Sequence, residues 1–481
     1  MGGLPYTSNG CANCKKRKIK CDLGAPECAR CKKKGILCPG YDQHRNFLHH
    51  TVVSRVERNG ETKRPVPQLV GHLRPLALPP TFNMSAEERT QLFSTFMSAF
   101  FAPKVYLNGN DDSWYFLMSH FPSLAGESEI LDRSVIALAS VFVGGKTGNE
   151  SLARHGVEIY NSGLNMLVQI LKRKRAPTPD VLYATMVFNT YETIQGGGNA
   201  LRNCFFHVQG ATAIVKHFAL SQCMHKALGT AIMNRQKWSV AFFGFSTRFQ
   251  SEVDWSCLTL GYNTTPLDNL FNMLDECAAL QRELRTIVSY QTPNREAACE
   301  MLLHRCSTLE SRLTVDWLNG PALELDDHPT PCPRIQLAHQ PSLLFPDPAV
   351  TPYTFKSLNT AKTYLLFWVA VVATCRVVYQ AETLISGYSD PSRMIQYAGE
   401  ISRAIPYCIQ PSNQMSSGHA VIFAVSQASR CYIDCGDRSL FEWCQGIYAA
   451  IHSRGVDIAR GVGEEDLGLW AAAHGHSGSS V

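Results

Sequence analysis

Residues 11–38 read CANCKKRKIKCDLGAPECARCKKKGILC, with six cysteines spaced Cys11-x2-Cys14-x6-Cys21-x6-Cys28-x2-Cys31-x6-Cys38. A segment of about thirty residues buries too little apolar surface to fold alone and needs a staple. Two Cys-x2-Cys pairs, each followed by a third cysteine six residues on, give twofold internal symmetry. Two metal ions produce that pattern; an arbitrary set of disulfides does not. Thiolate-only tetrahedral coordination suits zinc. Six ligands serve two four-coordinate ions only if two sulfurs are shared, and symmetry nominates the first cysteine of each half, Cys11 and Cys28.

Each Cys-x2-Cys pair can open a short helix whose first turn holds the metal, so the residues behind it are presented rigidly. Behind Cys14 these are Lys15, Lys16, Arg17, Lys18, Ile19 and Lys20; behind Cys31 they are Lys32, Lys33 and Lys34. The connector Leu23-Gly24-Ala25-Pro26-Glu27 is turn-prone and lets the chain reverse to deliver Cys28. From Cys11 to Arg64 there are fourteen Lys and Arg against five Asp and Glu, a formal +9, while the whole chain is only +5 and the remainder therefore near −4. Six thiolates with two zinc ions take two charges away and leave the head positive. Such a patch attracts polyanions, with non-specific DNA affinity of roughly 10⁻⁴ to 10⁻⁶ M that falls steeply with salt.

The stretch from Gly10 to Tyr41 resembles the fungal binuclear zinc cluster (six-cysteine, Zn2Cys6) family of transcription factors. The matching residues are Cys11, Cys14, Cys21, Cys28, Cys31 and Cys38 as ligands, Pro26 in the connector, and the basic string after Cys14. The resemblance implies two zinc ions per chain, a nuclear protein, and a first helix whose C-terminal end enters the major groove of double-stranded DNA, usually over a CGG-type triplet. Arg17 and Lys18 stand where the family places base-reading residues. Lys15, Lys16, Lys20, Lys32, Lys33 and Lys34 fit phosphate contacts. Many members add a heptad coiled coil that pairs two modules. No a/d pattern runs between Asp42 and Leu78, so the options are monomeric binding or a homodimer through the larger domain.

A protein-binding zinc knuckle has no need of nine basic side chains between its first and last cysteine. A secreted disulfide framework is disfavoured because residues 1–10 contain no apolar signal core, and Tyr6 replaces the Ser or Thr that myristoylation needs. The reading is of an intracellular chain with no membrane partner.

The expected organisation is a tail over 1–10, the zinc module over 11–40, an irregular proline-bearing linker over 41–81, an all-α body over 82–460 and a C-terminal tail over 461–481 with a disordered end. The fold class is thus a small, loop-rich binuclear cluster module with two short helices, followed by a large all-helical domain. Ser85-Ala86-Glu87-Glu88 reads as a capping box. Val157, Tyr160, Leu164, Leu167, Val168 and Leu171 repeat at three and four, and Thr178-Pro179-Asp180 opens a run through Val181, Ala184, Phe188 and Tyr191, the two pairing as a helical hairpin. Gly196-Gly197-Gly198 breaks the chain before a helix around His207 to Val215. Tyr160 to Phe218 is similar to the helical regulatory domain of these fungal factors, through words such as Tyr191-Glu192 and His207-x2-Gly210-Ala211. Further helices are expected over Tyr364–Tyr379, Met394–Ile405, Ala420–Tyr432 and Leu440–Ile451. The apolar run Thr363–Cys375, bounded by Lys362 and Arg376, has thirteen residues where a membrane span needs ~20 and reads as a core helix. Loops are expected over His328–Pro352 and Gly387–Pro391.

Enzyme signatures fail. Gly145-Lys146-Thr147 lacks the first glycine of a phosphate loop, since position 140 is Ser140, and reads as a helix end. Ser389 lacks the second glycine of a nucleophile elbow. Of the twelve cysteines after Cys38, the nearest grouping is Cys431-x3-Cys435-x8-Cys444, for which buried thiols are the plain reading. Lys172-Arg173-Lys174-Arg175 reads as a solvated helix end. The reading is a non-enzymatic, zinc-dependent, sequence-specific transcription regulator of the RNA polymerase II type, a pathway-specific activator linked to a biosynthetic (secondary-metabolite) gene cluster. The alternative is an interaction protein whose body binds a partner factor, or an unidentified effector, while the head supplies only non-specific DNA affinity.

Overall fold

A computed structural model describes residues 13–14, 17, 19–22, 28–35 and 38 near the N-terminus. Beyond them it describes residues 84–101, 113–173, 176–221, 226–245, 265–289, 294–325, 327–332, 350–410, 413 and 418–474. The chain divides into two units, Met1–Gly71 and His72–Val481. The expected linker and N-terminal tail lie outside the described residues.

In the first unit Asn13 and Cys14 are helical, and Arg17 N donates to Asn13 O at 3.1 Å. Helix α1 (Ala29–Lys32) opens the second half with Cys28 as its cap.

The second unit is a helical body whose two central helices are wrapped by the others. Helices α2 (Ala86–Phe100), α3 (Ser113–His120), α4 (Glu129–Thr147), α5 (Glu150–Lys172), α6 (Pro179–Gln195), α7 (Ala200–Ser221) and α8 (Lys226–Gly244) make the first part. The second holds α9 (Pro266–Ser289), α10 (Arg295–Ser311), α11 (Leu358–Ser386), α12 (Ser392–Cys408), α13 (Gly418–Cys435), α14 (Arg438–His452) and α15 (Asp457–His474). The capping box forms as expected: Ser85 Oγ accepts from Glu88 N at 3.2 Å and Glu88 Oε2 accepts from Ser85 N at 2.7 Å. A two-residue antiparallel ladder, β1 (Thr330–Pro331) with β2 (Tyr353–Thr354), lies at the ends of the segment expected as a loop.

Helix α6 is buried on all sides from Val181 to Ile194, with α4, α7 and α15 packed against it. The expected hairpin of α5 with α6 takes a different form. Helix α4 lies against both, and α5 meets α6 at Tyr160, stacked on Tyr191 at 3.8 Å and edge-on to Phe188 at 5.3 Å, and at Gly163, where Phe188 closes against the helix. The α4–α5 crossing is close enough to demand glycine. A Cβ on Gly156 would stand 2.7 Å from Val141 Cγ2, and one on Gly144 2.6 Å from Ala153 N. Val168 and Leu171, placed on the apolar face of α5 by spacing, are 46% and 55% exposed, whereas Tyr160 and Leu167 of the same series are buried.

Helix α11 is the second centre, covered by α9, α10, α12 and α13. It is 29 residues long, extending beyond both the thirteen-residue apolar run and the expected Tyr364–Tyr379, so it is long and apolar enough to span a membrane, yet 83% of its most apolar window is buried inside the bundle. Lys362 and Arg376 do not end it: Ser357 Oγ caps its start by accepting from Thr360 N at 3.0 Å, and Gly387 in the left-handed region ends it. Arg376 is carried within it because Asp434 of α13 accepts from its Nε at 2.8 Å. Trp317 stacks on Phe367 of α11 and donates from Nε1 to Pro266 O at 3.0 Å, joining α9 to the same core.

The expected C-terminal tail from residue 461 is corrected. Helix α15 runs through it to His474, held by Asp466, which is fully buried, accepts from Tyr448 Oη at 2.8 Å and faces Arg430 Nε at 3.4 Å. Residues 475–481 lie outside the described ones.

Candidate metal centre and nucleic-acid interface

Among its described residues, the interior of the N-terminal unit is made of sulfur. Its buried cluster among the described residues consists of Cys14, Cys28, Cys31 and Cys38, with Cys21 packed against it and no aliphatic side chain. A core of thiols without hydrocarbon offers little transfer energy and makes sense as a ligand set. The Sγ atoms of Cys14, Cys28 and Cys31 lie within 4.8 Å of one another, as do the ligand atoms of Cys21, Asp22 and Cys28. Cys14 Sγ and Cys28 Sγ are 3.7 Å apart. A disulfide would bring them to ~2.05 Å. Two thiolates on one tetrahedral zinc, each at ~2.3 Å from the ion, stand about 3.8 Å apart. The spacing therefore fits a shared metal.

Cys28 belongs to both groups, and it does further work locally. Its Sγ accepts from Cys31 N at 3.3 Å, while Cys31 N and Lys32 N also turn back onto Cys28 O at 3.0 and 3.1 Å. The residue that the sequence reading missed is Asp22. Its two carboxylate oxygens accept from Ala29 N at 2.9 Å and Arg30 N at 3.3 Å, so it caps α1 and ties the two halves of the module. The signal was an Asp directly after Cys21, legible only once the chain reversal places it opposite residue 29.

The basic side chains are on the outside. Arg17, Lys20, Lys32, Lys33 and Lys34 are exposed on both halves of the module. Cys11, Lys15, Lys16 and Lys18, also expected at the site, lie outside the described residues.

Among the described residues, no group of metal-ligand spacing occurs in the body. Gly145, Lys146 and Thr147 form the C-terminal turn of α4, as read. Ser389 Oγ donates to Glu382 Oε2 at 2.5 Å at the end of α11. Cys431 and Cys444 are buried. Burial pushes the Cys444 thiol well up, as an inert structural thiol requires.

The words Tyr191-Glu192 and His207-x2-Gly210-Ala211 meet in one buried polar cluster. Tyr160 Oη donates to Glu192 Oε1 and lies 3.2 Å from His207 Nε2, and Asn203 Nδ2 donates to Glu192 Oε2 at 3.0 Å. Burial pushes His207 down to about 4, which keeps its ring neutral at neutral pH, and raises Tyr160. The cluster locks α5, α6 and α7 together.

Residues 9–46 match the family model of the fungal Zn(2)-Cys(6) binuclear cluster domain. No curated protein and no solved structure matched the chain. The chain thus carries a zinc cluster domain of the kind that binds two zinc ions through cysteines, ahead of a mostly helical body. That domain makes it a zinc-dependent, DNA-binding transcription regulator.

Proposed function

We propose that the six cysteines hold two zinc ions with Cys11 and Cys28 shared, and that the loaded module reads CGG-type triplets in the major groove. In this reading Cys14 and Cys21 complete one set around the shared pair, Cys31 and Cys38 the other. Arg17 and Lys18 contact base edges. Lys15, Lys16, Lys20 and the three lysines from 32 to 34 hold phosphates on either side. The supporting observation is the membership of Cys28 in both groups of close ligand atoms, Cys14–Cys28–Cys31 and Cys21–Asp22–Cys28, with exposed cations on both halves.

The domain limits proposed are those read from the sequence: module over 11–40, linker over 41–81 and regulatory body from 82. The protein acts in the nucleus as a pathway-specific activator of RNA polymerase II genes, of the kind associated with a biosynthetic gene cluster. That output rests on the likeness of the module, the basic string and the chain size to fungal six-cysteine regulators. The test is competition between a CGG-bearing duplex and its scrambled counterpart for the zinc-loaded chain over a salt series. The reading requires a preference that persists as salt rises. Equal affinity for both, collapsing together with salt, contradicts it.

A further inference from the structure

The helical body holds a charged feature unrelated to the zinc module. A cavity of about 450 Å³ opens between α9, α11, α13 and α15, within the ~300–1,000 Å³ typical of small-molecule sites. Its lining combines the apolar Leu284, Val377, Ile433 and Leu469 with the polar Gln281, Arg285, Arg376, Arg430 and Asp434. Two of the arginines are answered. Arg376 Nε donates to Asp434 Oδ2 at 2.8 Å, where Gln380 Nε2 also donates at 3.0 Å. Arg430 Nη1 donates to Phe245 O at 2.6 Å, with Glu465 and Asp466 each 3.4 Å from its guanidinium.

Arg285 has no acceptor among the described residues, and the charged groups acting on it are all arginines: Arg430, Arg282 and Arg376. One helical turn earlier, Gln281 Nε2 is buried and makes no hydrogen bond. A buried donor left without an acceptor is unfavourable, and a half-buried guanidinium surrounded by its own kind adds repulsion. Burial first, then Arg430, Arg282 and Arg376, hold the Arg285 guanidinium below its ordinary range. The carboxylate of the lining, Asp434, is taken by Arg376 and Gln380, which leaves Arg285 without a counter-charge among the described residues.

We infer that this cavity binds a small organic carboxylate, its head taken by Arg285 and Gln281 and its apolar body laid against Leu284, Val377, Ile433 and Leu469. The planar guanidinium fork matches a planar carboxylate in two parallel bonds, and with Arg285 the one cation of the lining left unanswered among the described residues, a monoanion is called for. The apolar wall selects for a hydrocarbon body over a bare inorganic anion. Because Leu469 comes from α15, which also packs on α6 and α7, an occupant ties the C-terminal helix to both centres of the body.

The test is calorimetric titration of the full-length, zinc-loaded chain with benzoate and octanoate, and with benzamide and inorganic phosphate as controls. Saturable one-to-one binding of at least one carboxylate is expected, with both controls at least tenfold weaker. Arg285→Gln should weaken the carboxylate at least tenfold. Leu469→Trp, which keeps every charge and fills the space, should abolish binding. Binding of neither carboxylate, phosphate bound as tightly as the carboxylates, or affinity unchanged in both variants would each overturn the assignment.

Discussion

Cys28 Sγ stands 3.7 Å from Cys14 Sγ, although fourteen residues separate them in the chain. That approach brings the two halves of the module together at their sulfurs, as the proposed shared coordination requires. Replacing Cys28 by Ser should cost both zinc ions, since a shared ligand serves both, and unfold the module with them. Metal analysis reads this directly; a Cys28→Ser chain that retains two zinc ions per molecule contradicts the shared role.

Asp22 supports the same geometry from the protein side. Asp22→Ala leaves two N–H groups at the start of α1 without their acceptor and should cost about 1 kcal/mol. The expected result is faster zinc loss to a chelator with stoichiometry unchanged at equilibrium in excess zinc. A chelation rate equal to that of the parent chain would show the cap to be idle.

Base and phosphate roles separate in DNA binding. Lys18→Ala should lose roughly 1–3 kcal/mol on the true site and relax the preference there, whereas Lys20→Ala should weaken all sequences alike and lower the salt slope by about one. Matched losses on specific and scrambled duplex for both variants would remove the distinction.

In the body, the closest helix crossing is the most sensitive to added volume. Gly156→Val drives a side chain into Val141 and Ala137 O and should destabilise by roughly 1–3 kcal/mol. Denaturant unfolding followed by helical circular dichroism measures it. An unchanged midpoint would mean that α4 and α5 separate without cost.

Two half-buried histidines set the acid limit of the body. Burial pushes His207 down to about 4 and His419 to about 3, the latter with Arg235 adding to the effect. Unfolded histidine titrates near ~6.5. As pH falls from there toward 4, the unfolded chain takes up protons that the folded one refuses, so stability is lost on acidification through that window and is flat above it. His207→Gln should flatten the slope. A parent chain with stability constant from pH 7 to 4.5 would contradict the burial of both rings.

Much of this was legible locally. The six-cysteine spacing gives the module because metal ligation fixes residue type and separation together. The Ser85–Glu88 cap and the glycine break after Gln195 are equally local signals. What escaped depends on partners distant in sequence. Asp22 acts on residues seven and eight positions away, across the chain reversal. Lys362 and Arg376 bound the apolar run, yet α11 begins before Lys362 and runs past the expected end at Tyr379 to Ser386, with Arg376 carried inside it because Asp434 lies across from it. Helix α15 was hidden because its buried Asp466 reads as a surface residue until Arg430 and Tyr448 are placed beside it. Helix α9 was readable and unread: Thr265 and Asp268 form a reciprocal cap, with Asp268 N donating to Thr265 Oγ1 at 3.1 Å.

The most direct test of zinc-dependent sequence recognition is selection from a random DNA library by the full-length, zinc-loaded chain, repeated with a chelator and at two salt concentrations. Enrichment of a CGG-containing site that chelation abolishes is the predicted result, with one triplet or two showing single or paired binding. Absence of any enriched motif, with affinity that only falls as salt rises, would contradict it and leave the head an electrostatic tether.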